Sequence, residues 1–80
     1  MPNLIENILK GKGWTEDFIG MFFHTDFDLI FDLNSGGIAV LDLSDDEKML
    51  EYVGEDAPLG TKAKLVVKYN HVNYRNDQPF

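Results

Sequence analysis

The sequence predicts an α+β protein: a small antiparallel sheet of three strands, extendable to four, with two or three short helices packed on one face. Three observations carry this expectation. Residues 25–33 alternate apolar and polar side chains, stop at a glycine-rich turn and resume as a second apolar run from Ile38 to Leu43. A second alternating stretch occupies residues 61–69. Helix-start signals at Asn3 and Ser44 each precede a short apolar stripe of helical spacing.

Asn3 caps the first predicted helix, and Glu6 three residues later stands in capping-box position. Leu4, Ile5, Ile8 and Leu9 share one face, and Gly11 and Gly13 end the segment after about two turns. A helix this short does not persist alone, so its stripe must dock on something. Thr15, Glu16 and Asp17 are a second start signal, launching Phe18, Ile19, Met21, Phe22 and Phe23 as a short helix. Gly20 and the three phenylalanines make a strand the alternative there, and it would be the fourth of the sheet.

In residues 25–34, Thr25, Phe27, Leu29, Phe31 and Leu33 alternate with Asp26, Asp28, Ile30, Asp32 and Asn34, the pattern of a half-buried strand. Asn34-Ser35-Gly36-Gly37 turns it back into a partner strand. A three-residue loop with Gly36 in the left-handed region pairs Phe31 with Ala39 and Leu29 with Leu41. A shorter loop would set Leu29 against Asp42, so the first register is the expected one. Ser44-Asp45-Asp46-Glu47 forms a full capping box ahead of Met49, Leu50 and Val53, with Gly54 as the stop. Residues 55–60 read as a loop. In residues 61–69, Ala63, Leu65, Val67 and Tyr69 alternate with Lys62, Lys64, Val66 and Lys68, giving a third strand that extends through Val72 to Tyr74. Residues 75–80 read as the frayed tail of a single domain, 1–80.

Eighty residues with 44% apolar side chains suit one core, and a domain this small buries only about 60% of its unfolded surface. The absence of cysteine excludes disulfides, thiolate zinc sites and cysteine nucleophiles. The apolar runs fall short of the roughly 20 residues a membrane-spanning helix needs, and the first residues lack the basic-then-apolar order of a signal peptide. A soluble protein of the cytoplasm is expected, or of the host cytoplasm if the chain is viral.

The formal charge is −7, which disfavours direct binding to nucleic acid or anionic membranes. It is unevenly distributed. Residues 14–57 hold twelve acids against Lys48, whereas residues 58–80 hold Lys62, Lys64, Lys68 and Arg75 against Asp77. Asp26, Asp28, Asp32 and Asp42 fall on the outer face of the predicted hairpin. Lys62, Lys64 and Lys68 of a neighbouring strand would neutralise part of that charge, each exposed pair contributing about 0–1 kcal/mol. The acids left over imitate the charge of a nucleic-acid backbone. The expected function is therefore a non-enzymatic protein–protein interaction module. In its sharper form it is an inhibitor that blocks the basic nucleic-acid-binding surface of a larger protein. Phage-type inhibitors of host nucleases and defence complexes offer an analogy of size and charge. The partner-binding candidates are Asp26, Asp28, Asp32, Asp42, Asp45, Asp46 and Glu47.

The alternative is a small assembly subunit working through surplus aromatics, among them Phe22, Tyr69 and Tyr74, or through an edge strand that pairs two copies. Its acids would then serve solubility. A third reading takes His24-x-Asp26-x-Asp28 as ligands for a divalent metal. Ser35 and Ser44 are explained by a turn and a cap. Lys10-Gly11-Lys12-Gly13 lacks the strand and spacing of a phosphate loop and reads as a helix stop. No catalytic set and no cofactor motif is found.

Overall fold

The computed structural model describes residues 4–70. They run as helix α1 (Leu4–Gly11), strands β1 (Thr15–Phe18), β2 (Met21–His24), β3 (Phe27–Asp32), β4 (Ile38–Asp42) and β5 (Lys48–Val53), then helix α2 (Leu59–Tyr69). The strands form one antiparallel sheet in sequence order, β1-β2-β3-β4-β5. The α+β class and the first helix are as expected, with five strands and two α-helices in place of the three- or four-stranded sheet and its two or three helices.

α1 ends as its glycines require. Gly13 takes φ +95°, the Gly13 N–H donates to the Lys10 carbonyl at 3.1 Å, and the Trp14 N–H donates to the Leu9 carbonyl at 3.0 Å. These two bonds are the Schellman pattern, which carries with it an apolar contact between the residue after the glycine and the last helical turn. Trp14 and Leu9 belong to the same buried cluster. The helix stop thus also delivers the chain's one tryptophan into the core.

Residues directly opposite one another in an antiparallel pair share a face. Phe22 pairs with Phe31, and Phe31 with Val40. With Leu29 and Ile38 they make the face on which Ile5 and Leu9 of α1 and Leu65, Val66 and Tyr69 of α2 are buried. The opposite face carries two cross-strand rows: Phe23, Ile30, Leu41 and Met49, and then Met21, Asp32, Ala39 and Tyr52. Both helices lie on the first face, so no described element covers the second.

The two segments that differ most from expectation failed for one reason: short apolar patterns fit two periods. Residues 61–69 form α2 and not a strand, because Leu65, Val66 and Tyr69 fall on one helical face, while Val67 is 56% exposed. The extension to Val72 and Tyr74 and the tail 75–80 lie outside the described residues. Residues 44–53 do not form a capped helix, and Lys48–Val53 is strand β5. As a strand paired with β4, the segment packs Leu50 and Val53 against the core, which outweighs the roughly 0.3–1 kcal/mol that an acid gains at a helix start. A register shift between Val40 and Leu41 leaves Leu50 as an extra residue on β5, and Leu50 packs against the core. The capping box therefore caps nothing. The short 3₁₀ turn Leu43–Asp45 is capped instead by Asp42, whose Oδ1 accepts from the Ser44 N–H at 3.0 Å and hydroxyl at 2.6 Å.

Residues 15–23 form the β1–β2 hairpin, turning at Gly20 with φ +74°. Phe22 enters the core while Phe23 faces the other side, which a strand allows. In the β3–β4 hairpin Gly36 is left-handed as expected, at φ +91°. The register is the one the sequence disfavoured: Leu29 lies opposite Asp42, and Phe31 opposite Val40 rather than Ala39. The expected register assumed that one face must hold nearly all the apolar residues. Here Ile38 and Val40 are 1% and 0% exposed on the helix face, and Asp42 stands at the strand end where its carboxylate is used as a cap. The edge-strand dimer expected at residues 61–69 has no strand to use. The true edges are β1 and β5, each carrying a register irregularity, a common guard against edge pairing.

Two stability outcomes follow from this packing. A Cβ at Gly37 would collide with the Val53 carbonyl oxygen, which is backbone and cannot step aside, so Gly37→Ala should lower the unfolding free energy by about 1–3 kcal/mol in urea melts. Phe31→Ala, at a fully buried ring, should cost about 3–5 kcal/mol. Phe18→Ala, at a ring 66% exposed, should stay within about 0.5 kcal/mol. Equal losses for the two phenylalanines would mean that the open face is buried in solution.

Candidate functional site

Charge separates by layer. Among the described residues, Lys10 and Lys12 belong to α1 and its C-terminal turn, Lys62, Lys64 and Lys68 to α2, and only Lys48 to the sheet. The twelve acids of residues 14–57 lie in the strands and their connections. Three of them fall on the helix-side face: Glu16, 4.0 Å from the Lys10 ammonium, Glu51, and Asp42, which lies opposite Leu29 and not on the expected outer face. Lys62, Lys64 and Lys68 ride on helix α2 behind the sheet, and not on a strand beside Asp26, Asp28, Asp32 and Asp42 as expected. The Lys62 ammonium donates to the Glu55 carbonyl at 3.0 Å, and Lys68 pairs with Glu51 at 2.9 Å.

Six of the seven candidate acids come together by topology. The β2–β3 turn carries Asp26, the start of β3 carries Asp28, and the β4–β5 connection carries Asp45, Asp46 and Glu47 after Asp42 at the end of β4. In a meander these two connections lie at the same end of the sheet. Asp28, Asp45, Asp46 and Glu47 form no ion pair among the described residues, and the basic group in this stretch is Lys48, the strand partner of Asp42. Asp46 and Glu47 stand consecutively in the left-handed region, at φ 55° and 58°. This costs about 1–2 kcal/mol for an ordinary residue. The seventh acid, Asp32, sits at the opposite end of β3, on the open face.

The His24-x-Asp26-x-Asp28 spacing does not assemble a metal site. The turn between β2 and β3 intervenes: His24 faces the helix side, edge-on to Trp14 (5.2 Å between ring centres) and Phe27 (4.9 Å), while Asp28 faces the other side. The Nδ1 of His24 accepts the Asp26 backbone N–H at 3.0 Å. Among the described residues no three His, Asp or Glu side chains gather for a metal ion. The aromatics also fall differently from expectation. Phe22 and Tyr69 are core residues, 0% and 2% exposed, and Tyr74 lies outside the described residues. Of the exposed apolar residues, Met49 and Tyr52 belong to the open sheet face and Phe18 and Ile19 to the adjoining β1–β2 hairpin.

That surface contains a cleft the sequence did not reveal. It has a volume of about 400 Å³ and is lined by Asp32, Asn34, Ser35, Ala39, Met49 and Tyr52. The Asp32 Oδ1 accepts the Asn34 N–H at 2.9 Å, and the Ser35 and Tyr52 hydroxyls stand 3.4 Å apart. Tyr52 escaped notice because residues 44–53 read as a helix, and Asn34 and Ser35 because they read as turn residues alone. The signal present was the placement of Met49 and Tyr52 about the bulge at Leu50, which serves a strand as well as a helix.

Glu51 joins β5 to α2 from the other face. Its carboxylate accepts from the Lys68 ammonium and the Tyr69 hydroxyl, each at 2.9 Å. Those two hydrogen bonds, Lys68 first, and then the charge of Lys68 hold its pKa below the ordinary 4.5 against the opposing effect of burial. No described helix is long and apolar enough to cross a membrane. No protein-family model, curated protein or solved structure matches this chain.

The lowered carboxyl value sets a pH dependence. A folded-state pKa below the unfolded one gives stabilisation that is complete well above 4.5 and disappears as the pH falls through the folded value. Both side chains of the ion pair are more than a third exposed, so the whole effect should not exceed about 1 kcal/mol. Glu51→Gln should therefore be less stable than the parent at about pH 7, with the gap closing toward about pH 3 in urea melts at both values. A gap that widens in acid would show that Glu51 is not held as described.

Proposed function

We propose that this chain is a non-catalytic protein–protein interaction module whose sheet layer engages the basic surface of a larger protein, one that otherwise holds nucleic acid. The observation that carries the reading is the separation of charge by layer, with the acids of the β2–β3 and β4–β5 connections together at one end of the sheet. The acids of the strands and their connections set up a one-signed field that raises the encounter rate with a basic surface and repels nucleic acid itself. In its sharper form the protein is an inhibitor that occupies that surface in place of nucleic acid. Asp26, Asp28, Asp42, Asp45, Asp46 and Glu47 form the contact, and Asp32 belongs to the far end of the same face.

A second reading, a small assembly subunit acting through apolar surface, is favoured by one observation: the uncovered face with Phe18, Ile19, Met49 and Tyr52 exposed. The two readings differ in their response to salt. For charge-led binding, partner capture should weaken by about tenfold or more between about 50 and 200 mM salt, and added DNA or RNA should displace the protein. The double reversal Asp26→Lys with Asp28→Lys should weaken capture by about tenfold without changing the melting curve. Capture indifferent to salt, competitor and charge reversal would sink the charge-led reading and leave the apolar one.

A further inference from the structure

The open-face cleft lies away from the acidic end and has its own chemistry. Its one carboxylate, Asp32, sits between Met21 and Ala39 in a cross-strand row otherwise free of charge. One Asp32 oxygen is engaged by the Asn34 N–H, and the other has no hydrogen-bond partner among the described residues. Around it stand the Asn34 amide, the Ser35 and Tyr52 hydroxyls, and the Tyr52 ring, 48% exposed. No described lysine lines the cleft. A carboxylate with a vacant oxygen, further acceptors and an accessible aromatic face together suit a planar cation with several N–H donors. A guanidinium fits this set better than an ammonium, because it offers a fork to the carboxylate and a flat face to the ring.

The apolar surroundings specify what carries that cation. Met49 and Ala39 form the rest of the lining, and the neighbouring row of Phe23, Ile30, Leu41 and Met49 continues the apolar surface across the sheet. The hydrogen bond from the Leu33 N–H to the Gly20 carbonyl, 2.8 Å, brings the β1–β2 turn with its exposed Phe18 and Ile19 to this same end. A cleft of about 400 Å³ lies within the range of ligand sites and leaves room for a side-chain stem beside the charged head. We propose that the cleft binds an arginine side chain of a partner polypeptide, flanked by apolar residues that lie on the open sheet face. The proposal rests on the interaction-module reading and names the partner's chemistry at a position distinct from the acidic end. Charge complementarity also argues against a second copy as the occupant: the chain has one arginine, Arg75, and two open faces brought together would oppose acid to acid.

The test is a proton–nitrogen NMR titration of the full chain with the peptide acetyl-Leu-Arg-Leu-amide. The same peptide with neutral citrulline in place of arginine is the control. Saturable shifts are expected at the amides of Asp32, Asn34, Ser35, Ala39, Met49 and Tyr52, with the citrulline peptide at least about tenfold weaker. Asp32→Asn keeps an acceptor for the Asn34 N–H and should weaken binding by a similar factor. Tyr52→Leu, at a half-exposed position, should weaken it independently if Asp32→Asn does not fold. Equal binding of the two peptides, or no effect of either substitution, overturns the proposal. So do shifts confined to residues 26–28 and 45–48, which would leave the salt-dependent acidic contact standing by itself. Cleft shifts that move with protein concentration alone assign the face to a second copy. Cleft shifts in the free chain that vanish in Arg75→Ala assign the cleft to the chain's own arginine. Either result overturns the partner assignment.

Discussion

The burial of Trp14 is the constraint on which the rest of the structure depends. Its backbone N–H closes the end of α1, and its ring stacks on Phe27 at 5.7 Å and stands edge-on to Phe31 at 4.7 Å. Its indole N–H donates to the Asn70 side-chain carbonyl at the C-terminal cap of α2. The Asn70 amide in turn donates to the Val66 carbonyl at 2.8 Å, so the two helices and the sheet are tied at one point by a closed polar network inside an apolar cluster. A buried indole N–H needs such a partner. Supplying it from α2 places both helices against the same face of the sheet, and that placement leaves the other face open.

The charge pattern is a consequence of the same placement. Each helix turns its apolar stripe toward the sheet and its lysines outward, which moves five of the described cations behind the molecule. The strands and their connections hold most of the acids, with Glu16 and Glu51 each within ion-pair distance of a helix lysine. A net charge of −7 therefore understates the polarity of the protein, since most of the described cations lie in the helix layer and most of the acids in the strands and their connections.

What the sequence made legible follows from how far each local signal outweighed its competitor. The first helix and its stop could be read because Gly13 permits a backbone conformation that few other residues adopt. The β3–β4 hairpin was visible for the same reason at Gly36, whereas its register was not, because register depends on which faces are covered and coverage is a tertiary property. Residues 44–53 and 61–69 exchanged structures relative to expectation. Over six to eleven residues, apolar spacing at Leu65, Val66 and Tyr69 or at Met49, Leu50 and Val53 satisfies either period, and only packing decides. The acids could be counted but not located, and the cleft was hidden because Tyr52, Ser35 and Asp32 converge from two hairpins that the sequence did not place together.

An open apolar sheet face is an aggregation hazard, and its acidic setting bears directly on that hazard. Ile30 is 1% exposed on this face, flanked in its row by Phe23 and Leu41, so part of the apolar surface shields itself. Phe18, Met49 and Tyr52 remain at 66%, 55% and 48% exposure. Two copies meeting through these side chains would bring together acidic layers of the same sign, with Asp28 and Asp32 on the contact face itself. A partner with the opposite charge would meet the same apolar side chains without that repulsion. On the proposed reading the acids act on the choice of occupant, opposing the protein's own copies and attracting a basic partner, while the apolar residues add contact area. On that reading charge supplies both the steering and part of the affinity, so removing it should weaken capture and relax the choice of partner together.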